Sequence, residues 1–161
     1  MKEEFIRLTG QNNYFEDFNV GDVYAHARGK TVTEMDNVLI TNLVMNTAQG
    51  HFNEHRMQSG PLGRRIVFGG VTASLVVGLS MEDTGENALA ELGLDRVRFL
   101  KPVFHGDTLY AYTQVLEKAD GDRPDAGIVR FKHWGLNQKG EVAFEAERTV
   151  LIKRRSHWVA P

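Results

Sequence analysis

An α+β fold, in which a curved antiparallel sheet wraps around one buried helix, is what this chain predicts. Three observations lead there. The segment from Ile66 to Glu82 is apolar on nearly every face, which suits a helix enclosed by protein and not one lying on a surface. Stretches that alternate polar and apolar residues follow it, as half-buried strands do. Asn137-Gln-Lys-Gly140 lies between two of those stretches and reads as a hairpin turn. A sheet curled around the helix buries the helix and one sheet face together.

Residues 13–22 mix aromatics with turn formers and read as an arm leading to a first strand, Val23 to Thr31. Thr33 has the character of an N-cap, and Asp36 three residues on completes a weaker form of the capping box. Val38, Leu39, Leu43 and Met45 supply the apolar positions of the helix that follows. Gly50 and the polar run Asn53 to Ser59 end it, and Gly60-Pro61 and Gly63 mark a loop. The buried helix runs from about Gly70 to Met81. Later strands are expected at Asp95 to Leu100, Thr108 to Leu116, Ile128 to Leu136 and Val142 to Ile152, with a turn region from Asp120 to Gly127.

The 161 residues are most simply one domain, and a chain of that size can build a core without staples. Nineteen basic and 21 acidic residues leave a net charge of -2, which points away from a polyanion partner. Aromatics are not interleaved with a basic patch, so nucleic-acid binding finds no support. No cysteine is present, which removes disulfides and thiolate metal sites and fits a reducing cytoplasm. His26, His55, His133 and His157 lack metal-ligand spacing, and His105 reads as a turn residue, so no metal is expected. No phosphate-loop fingerprint occurs. The opening MKEEFIRLTG does not read as a secretory signal. The longest apolar run, Val71 to Leu79, is too short to span a bilayer. Neither a membrane nor a nucleic-acid partner is therefore expected, and the cytoplasm is the expected location.

Chemistry concentrates between Leu43 and Leu75. Asn46 and His51 stand five residues apart on a turn after the first helix, and Gly69-Gly70 opens the second. Histidine changes charge most readily near neutral pH. Backbone N–H groups at a helix N-terminus stabilise developing negative charge. Each residue also has a plainer reading. His51 can be a turn histidine satisfied by backbone groups. Asn46 can cap a helix end. Gly69 and Gly70 can serve a tight loop-to-helix turn.

Several stretches resemble the MaoC-like dehydratases, a branch of the hot-dog fold that includes the (R)-specific enoyl-CoA hydratases. Tyr14-Phe-Glu-Asp-Phe18 followed by Val20-Gly-Asp22 is similar to the family's leader into its first strand. Asn46-Thr-Ala-Gln-Gly-His51 stands in place of the hydratase motif Asp-x-Asn-Pro-x-His. Arg64-Arg-Ile-Val-Phe-Gly69 resembles the approach to the central helix, where His-Gly is common. Phe99 to Leu109 resembles the strand junction Phe-x-x-Pro-Val-x-x-Gly-Asp-x-Leu. The likeness covers about residues 14–152 of a single domain, 1–161. His51 and Gly69 keep the family's functional identities. Asn46, Ala48, Gln49 and Phe68 replace its aspartate, asparagine, proline and helix-entrance histidine.

The resemblance implies a hot-dog fold and reversible hydration of a 2-enoyl-CoA, a carbon–oxygen lyase activity on a short or branched acyl group. His51 would move the protons, as general acid–base groups do. Asn46, whose amide cannot exchange a proton near neutral pH, would hold the water or hydroxyl. Gly69, with Gly70, would stabilise the enolate oxygen. Were a second carboxylate used, Glu54 is nearest in sequence, followed by Glu34 and Asp36. Phe68 and Met45 would narrow the acyl channel. Arg64 and Arg65 are the leading candidates for the coenzyme A phosphates, ahead of Arg98 and Lys101. No cofactor is expected beyond the coenzyme A of the substrate itself, which an acyl-carrier protein could replace. The partners expected are the thioester and a second copy in a homodimer or an assembly of dimers. A hot-dog thioesterase and a non-catalytic acyl-CoA binding protein are the alternatives.

Overall fold

The computed structural model describes residues 13–159. The expectation for the opening ten residues lies outside them. Residues 13–22 form an arm with one 3₁₀ turn, Phe15–Asp17. The regular elements are β1 (Val23–Thr31), α1 (Glu34–Leu43), α2 (Gln49–Phe52), α3 (Glu54–Gln58), α4 (Gly69–Thr84), β2 (Ala88–Phe99), β3 (Thr108–Asp120), β4 (Ala126–Leu136), β5 (Val142–Lys153) and α5 (Arg155–Trp158). The five strands form one antiparallel sheet in the order β1-β3-β4-β5-β2. Helix α4 packs across β1, β3, β4 and β5, so the sheet-around-helix architecture is the one observed.

Helix α4 is enclosed except along one line, Ser74, Gly78 and Glu82, spaced four residues apart. Gly135 on β4 lets it approach the sheet closely. A Cβ at that position would fall on Val76 of α4, inside contact distance. The hairpin between β4 and β5 turns at Gly140, whose φ of 76° suits glycine.

The capping box of α1 is complete: Thr33 Oγ1 accepts from the Asp36 N–H, and Asp36 accepts from the Thr33 N–H. The helix faces the other way from the one its apolar residues predict. Val38, Leu39 and Leu43 are exposed, and Met45 lies beyond the helix at φ 55°. The two fully buried residues of α1 are Asn37 and Thr41, four apart on one face. Ile40 packs partly against the core. The polar run from Asn53 forms a short helix of its own, α3, which Asn53 caps by accepting from the Arg56 N–H.

Strand β2 begins seven residues before the expected Asp95 and is an edge strand. Its stretch from Leu94 to Phe99 is exposed on both faces, so its alternation does not mark a buried side here. Its pairing with β5 shifts register three times, and Arg96 within it has φ 49°.

The interior divides into two apolar clusters. One gathers small side chains around the start of α4, including Val32, Val67, Val71, Val76, Val103 and Leu109. The other is aromatic, with Phe15, Phe18, Tyr24 and Phe131. Phe18 meets Phe131 edge-on at 5.1 Å. A buried polar row separates them on the inward face of the sheet. His26 (β1) bonds Asp83 of α4 at 2.6 Å through Nδ1 and Thr113 of β3 at 2.7 Å through Nε2. Thr113 also bonds His133 Nδ1 of β4 at 2.7 Å. Arg148 of β5 reaches Thr84 Oγ1 at 3.1 Å and forms a two-pronged pair with Glu91. The Thr113 hydroxyl has one proton, so it donates to one imidazole and accepts from the other.

Candidate active site

The cavity of interest holds about 660 Å³, within the range of small-molecule sites. One wall comes from His51 and from Ile66 to Phe68. The floor is the first turn of α4, with Gly69, Gly70 and Thr72. The facing wall is Phe99 to Val103. Carbon dominates this lining, so charge developing inside is poorly screened.

His51 sits in α2, one short helical turn, and not on an open turn. Its Nδ1 lies 3.0 Å from the Ile66 carbonyl. A carbonyl only accepts, so Nδ1 carries a proton, and in the neutral ring Nε2 keeps its lone pair. The Ile66 N–H returns a bond to the Gly50 carbonyl at 3.0 Å, and Val67 is pinned to Val103 at 2.8 Å. The imidazole lies 5.5 Å from the Phe68 ring, tilted by 55°.

Gly69 and Gly70 are the first residues of α4, and their N–H groups have no carbonyl a turn back to bond. Neighbouring rings account for both glycines. A Cβ on Gly69 would lie 2.9 Å from Cε1 of Phe99, and one on Gly70 would fall on the ring of Phe68. Neither glycine has a positive φ, so turn strain is not the reason. Aromatic side chains roof the helix start, and a side chain at either glycine would require one of those rings to move.

The structure brings His51, Phe68, Gly69 and Gly70 together and leaves three expected site residues outside the lining. Asn46 lies in the loop after α1, where its Oδ1 accepts the Ala48 N–H at 3.1 Å in a local turn. Arg65 is tied to Glu54 at 2.9 Å and to Glu34. Arg64 is exposed and lies 3.9 Å over the Phe104 ring. The two glutamates considered as extra catalytic acids are thus partners of Arg65, and Asp36 serves the α1 cap and Lys30. Met45 is 83% exposed and does not narrow the cavity, whereas Phe68 lines it. Of the four candidate phosphate-binding cations, Lys101 alone is in the lining, with Nζ 3.3 Å from Glu141.

Two groups of buried residues have no counterpart in the sequence reading. One is the row of His26, Thr113, His133 and Arg148, which period-two counting along the strands would place inward. The other is Asn37, wholly buried on α1. Its Nδ2 donates to the His51 carbonyl at 3.0 Å and its Oδ1 accepts the Phe68 N–H at 2.9 Å. Its pairing with Thr41 at helical spacing was the available signal.

A five-stranded antiparallel sheet around one long helix, with a histidine and a helix N-terminus on one cavity, defines a MaoC-like hot-dog domain. The family model for mesaconyl-CoA hydratase matches residues 3–154, and the chain belongs to that family. It is 39% identical over 124 residues to beta-methylmalyl-CoA dehydratase of Chloroflexus aurantiacus, covering 76% of this chain and 35% of that one. It is 31% identical over 146 residues to the (R)-specific enoyl-CoA hydratase of Rhodospirillum rubrum, covering 89% and 94%. The crystal structure of a MaoC domain protein from Chloroflexus aurantiacus superposes with a TM-score of 0.85 at 33% identity, covering 91% of this chain and 46% of that one. The chain thus spans less than half of the two Chloroflexus proteins and nearly all of the Rhodospirillum enzyme. Among the described residues no helix is long and apolar enough to cross a membrane.

Proposed function

We propose that this protein catalyses the reversible addition of water to a 2-enoyl-CoA thioester with a short or branched acyl group. The observation that carries the reading is that His51, with its Nδ1 proton committed to Ile66, shares one apolar cavity with the open N-terminus of α4. In hydration, His51 Nε2 takes a proton from water as the water oxygen bonds C3 of the enoyl group. The double-bond electrons move onto the thioester oxygen, where the Gly69 and Gly70 N–H groups hold the charge. The imidazolium then returns a proton to C2, giving the 3-hydroxyacyl thioester. Dehydration runs the same steps backwards. Asn46 has no part in this scheme, so one imidazole carries both transfers.

Relatives named for methylmalyl-, mesaconyl- and enoyl-CoA support the substrate class. Phe68 and Phe99 crowd the helix start, which favours a compact acyl group. Lys101, the candidate cation in the cavity lining, is assigned here to a coenzyme A phosphate. A homodimer is part of the proposal, because the edge strand β2 exposes Leu92, Leu94, Val97 and Phe99.

The test is a panel of crotonyl-CoA and methyl-branched enoyl-CoA substrates with wild type and His51→Ala. Replacing a general acid–base group should lower kcat about 10²-fold or more. Wild-type turnover in His51→Ala would remove His51 from the mechanism. Release of free thiol would assign a thioesterase, and tight binding without turnover would assign a binding protein.

A further inference from the structure

We infer that Asn37 is a positioning residue, which sets the placement of the His51 imidazole relative to the N-terminus of α4. The inference rests on the hydratase reading of the cavity for its effect on rate, though its geometry stands alone.

The two halves of the site come from separate pieces of chain. His51 lies on a single helical turn of four residues, too short to be stable by itself. The charge-stabilising N–H groups open α4, which is anchored in the core. One carboxamide joins them. Asn37 Nδ2 donates to the carbonyl of His51, and Asn37 Oδ1 accepts from the N–H of Phe68, the residue just before α4. Both bonds come from one rigid planar group, so the main chain at His51 and at Phe68 cannot drift apart without breaking one of them.

Four further observations support a positioning role. Asn37 is 0% exposed, so water is not at hand to replace either bond. Its placement is opposite to what helix stability would select. Helix α1 turns Asn37 and Thr41 inward and leaves Met35, Leu39 and Leu43 more than half exposed. The N–H of Phe68 has no intrahelical partner at that position, so Asn37 also satisfies a donor at the cavity rim. Thr41 Oγ1, donating to the Asn37 carbonyl at 2.7 Å, steadies the turn that carries the amide.

The His51 ring bonds the Ile66 carbonyl and packs near the Phe68 ring, while its own carbonyl is held by Asn37. Without Asn37, α2 can shift relative to α4 and the Nδ1–H···O=C bond loosens. Misplacing a reacting group by about 1 Å can lower the rate about 100-fold.

The test compares wild type with Asn37→Ala, Asn37→Asp and Thr33→Ala. Asn37→Ala removes both bonds. Asn37→Asp keeps an acceptor for Phe68 and loses the donor to His51. Thr33→Ala weakens α1 at its cap and leaves the amide untouched, so it separates loss of stability from loss of position. Two readouts are taken: kcat and KM with crotonyl-CoA, and the ring ¹⁵N signals of His51 in histidine-labelled protein, which report its tautomer. The expected result for Asn37→Ala is a kcat lower by about 10- to 100-fold with KM within about threefold, and a His51 ring no longer confined to the Nδ1–H form. Asn37→Asp should lower kcat in the same way, and Thr33→Ala should keep both kcat and tautomer. An Asn37→Ala protein with the kcat of Thr33→Ala and an unchanged His51 ring overturns the inference. If Asn37→Ala does not fold, Asn37→Asp is judged by the same criteria. If wild type turns over no enoyl thioester, the hydratase reading fails. The tautomer comparison then decides the role of Asn37 without it.

Discussion

Replacing His133 should remove a specific acid sensitivity of the fold. This imidazole is fully buried on β4, shares the Thr113 hydroxyl through Nδ1, and has no partner at Nε2 among the described residues. Protonation would place an unbonded charged donor in the core. Burial foremost, then the nearby charges of Arg148 and His26, push the group well below the ordinary histidine range. In the unfolded chain it titrates near its ordinary value, about 6.5. Below that pH the unfolded state binds more protons than the folded one, so stability falls as pH falls. One such group costs about 1.4 kcal/mol between pH 7.5 and 5.5, and about 2 kcal/mol by pH 5. At this chain length the first figure is about 3–6 °C in Tm.

The assay is urea unfolding of wild type and His133→Gln at both pH values. Glutamine does not titrate and lowers stability at each pH by disturbing the row. The difference between the two pH values should be smaller in the variant by about 1.4 kcal/mol. Asp83 and His26, reached through Thr113, and Glu91, the partner of Arg148, are common to both proteins, so the comparison isolates His133. Equal pH dependence in the two proteins would refute the neutral, buried His133.

Two further changes test the packing and the cap. Gly135→Ala drives a methyl group into Val76 and should destabilise by about 1–3 kcal/mol in chemical denaturation. Adding Val76→Ala should recover part of that loss, and strictly additive effects would mean the helix does not rest on Gly135. Thr33→Ala removes the acceptor for the Asp36 N–H and should cost about 1 kcal/mol, read as a lower urea midpoint.

Elements set by local chemistry were readable in the sequence. The Thr33–Asp36 box, the Asn137–Gly140 turn and the uniform apolarity of α4 each announce themselves within a few residues. The first residue of β1 and that of β3 were placed correctly because alternation begins sharply there. The face of α1 was misjudged because apolar residues are normally inward, and here the inward positions are given to hydrogen bonds with His51 and Phe68. The start of β2 was missed because an edge strand exposed on both sides has no buried period to display. At the site, the motif brought His51 and Gly69 to one cavity. It did not show that Asn46 folds back on Ala48, or that Arg65 is consumed by two glutamates, since both depend on partners distant from the motif or on loop geometry.

The irregular backbone of β2 also bears on which molecules can join this sheet. A straight foreign strand gains by forming many successive main-chain bonds along an open margin, and that uniformity underlies fibre growth. Three offsets and a left-handed Arg96 deny it a long even ladder here. Charged Asp95, Arg96 and Arg98, set among the leucines, add a cost to any apolar intruder. The margin therefore screens its visitors by shape and charge, and admits a strand only where the visitor's own kinks answer those of the host.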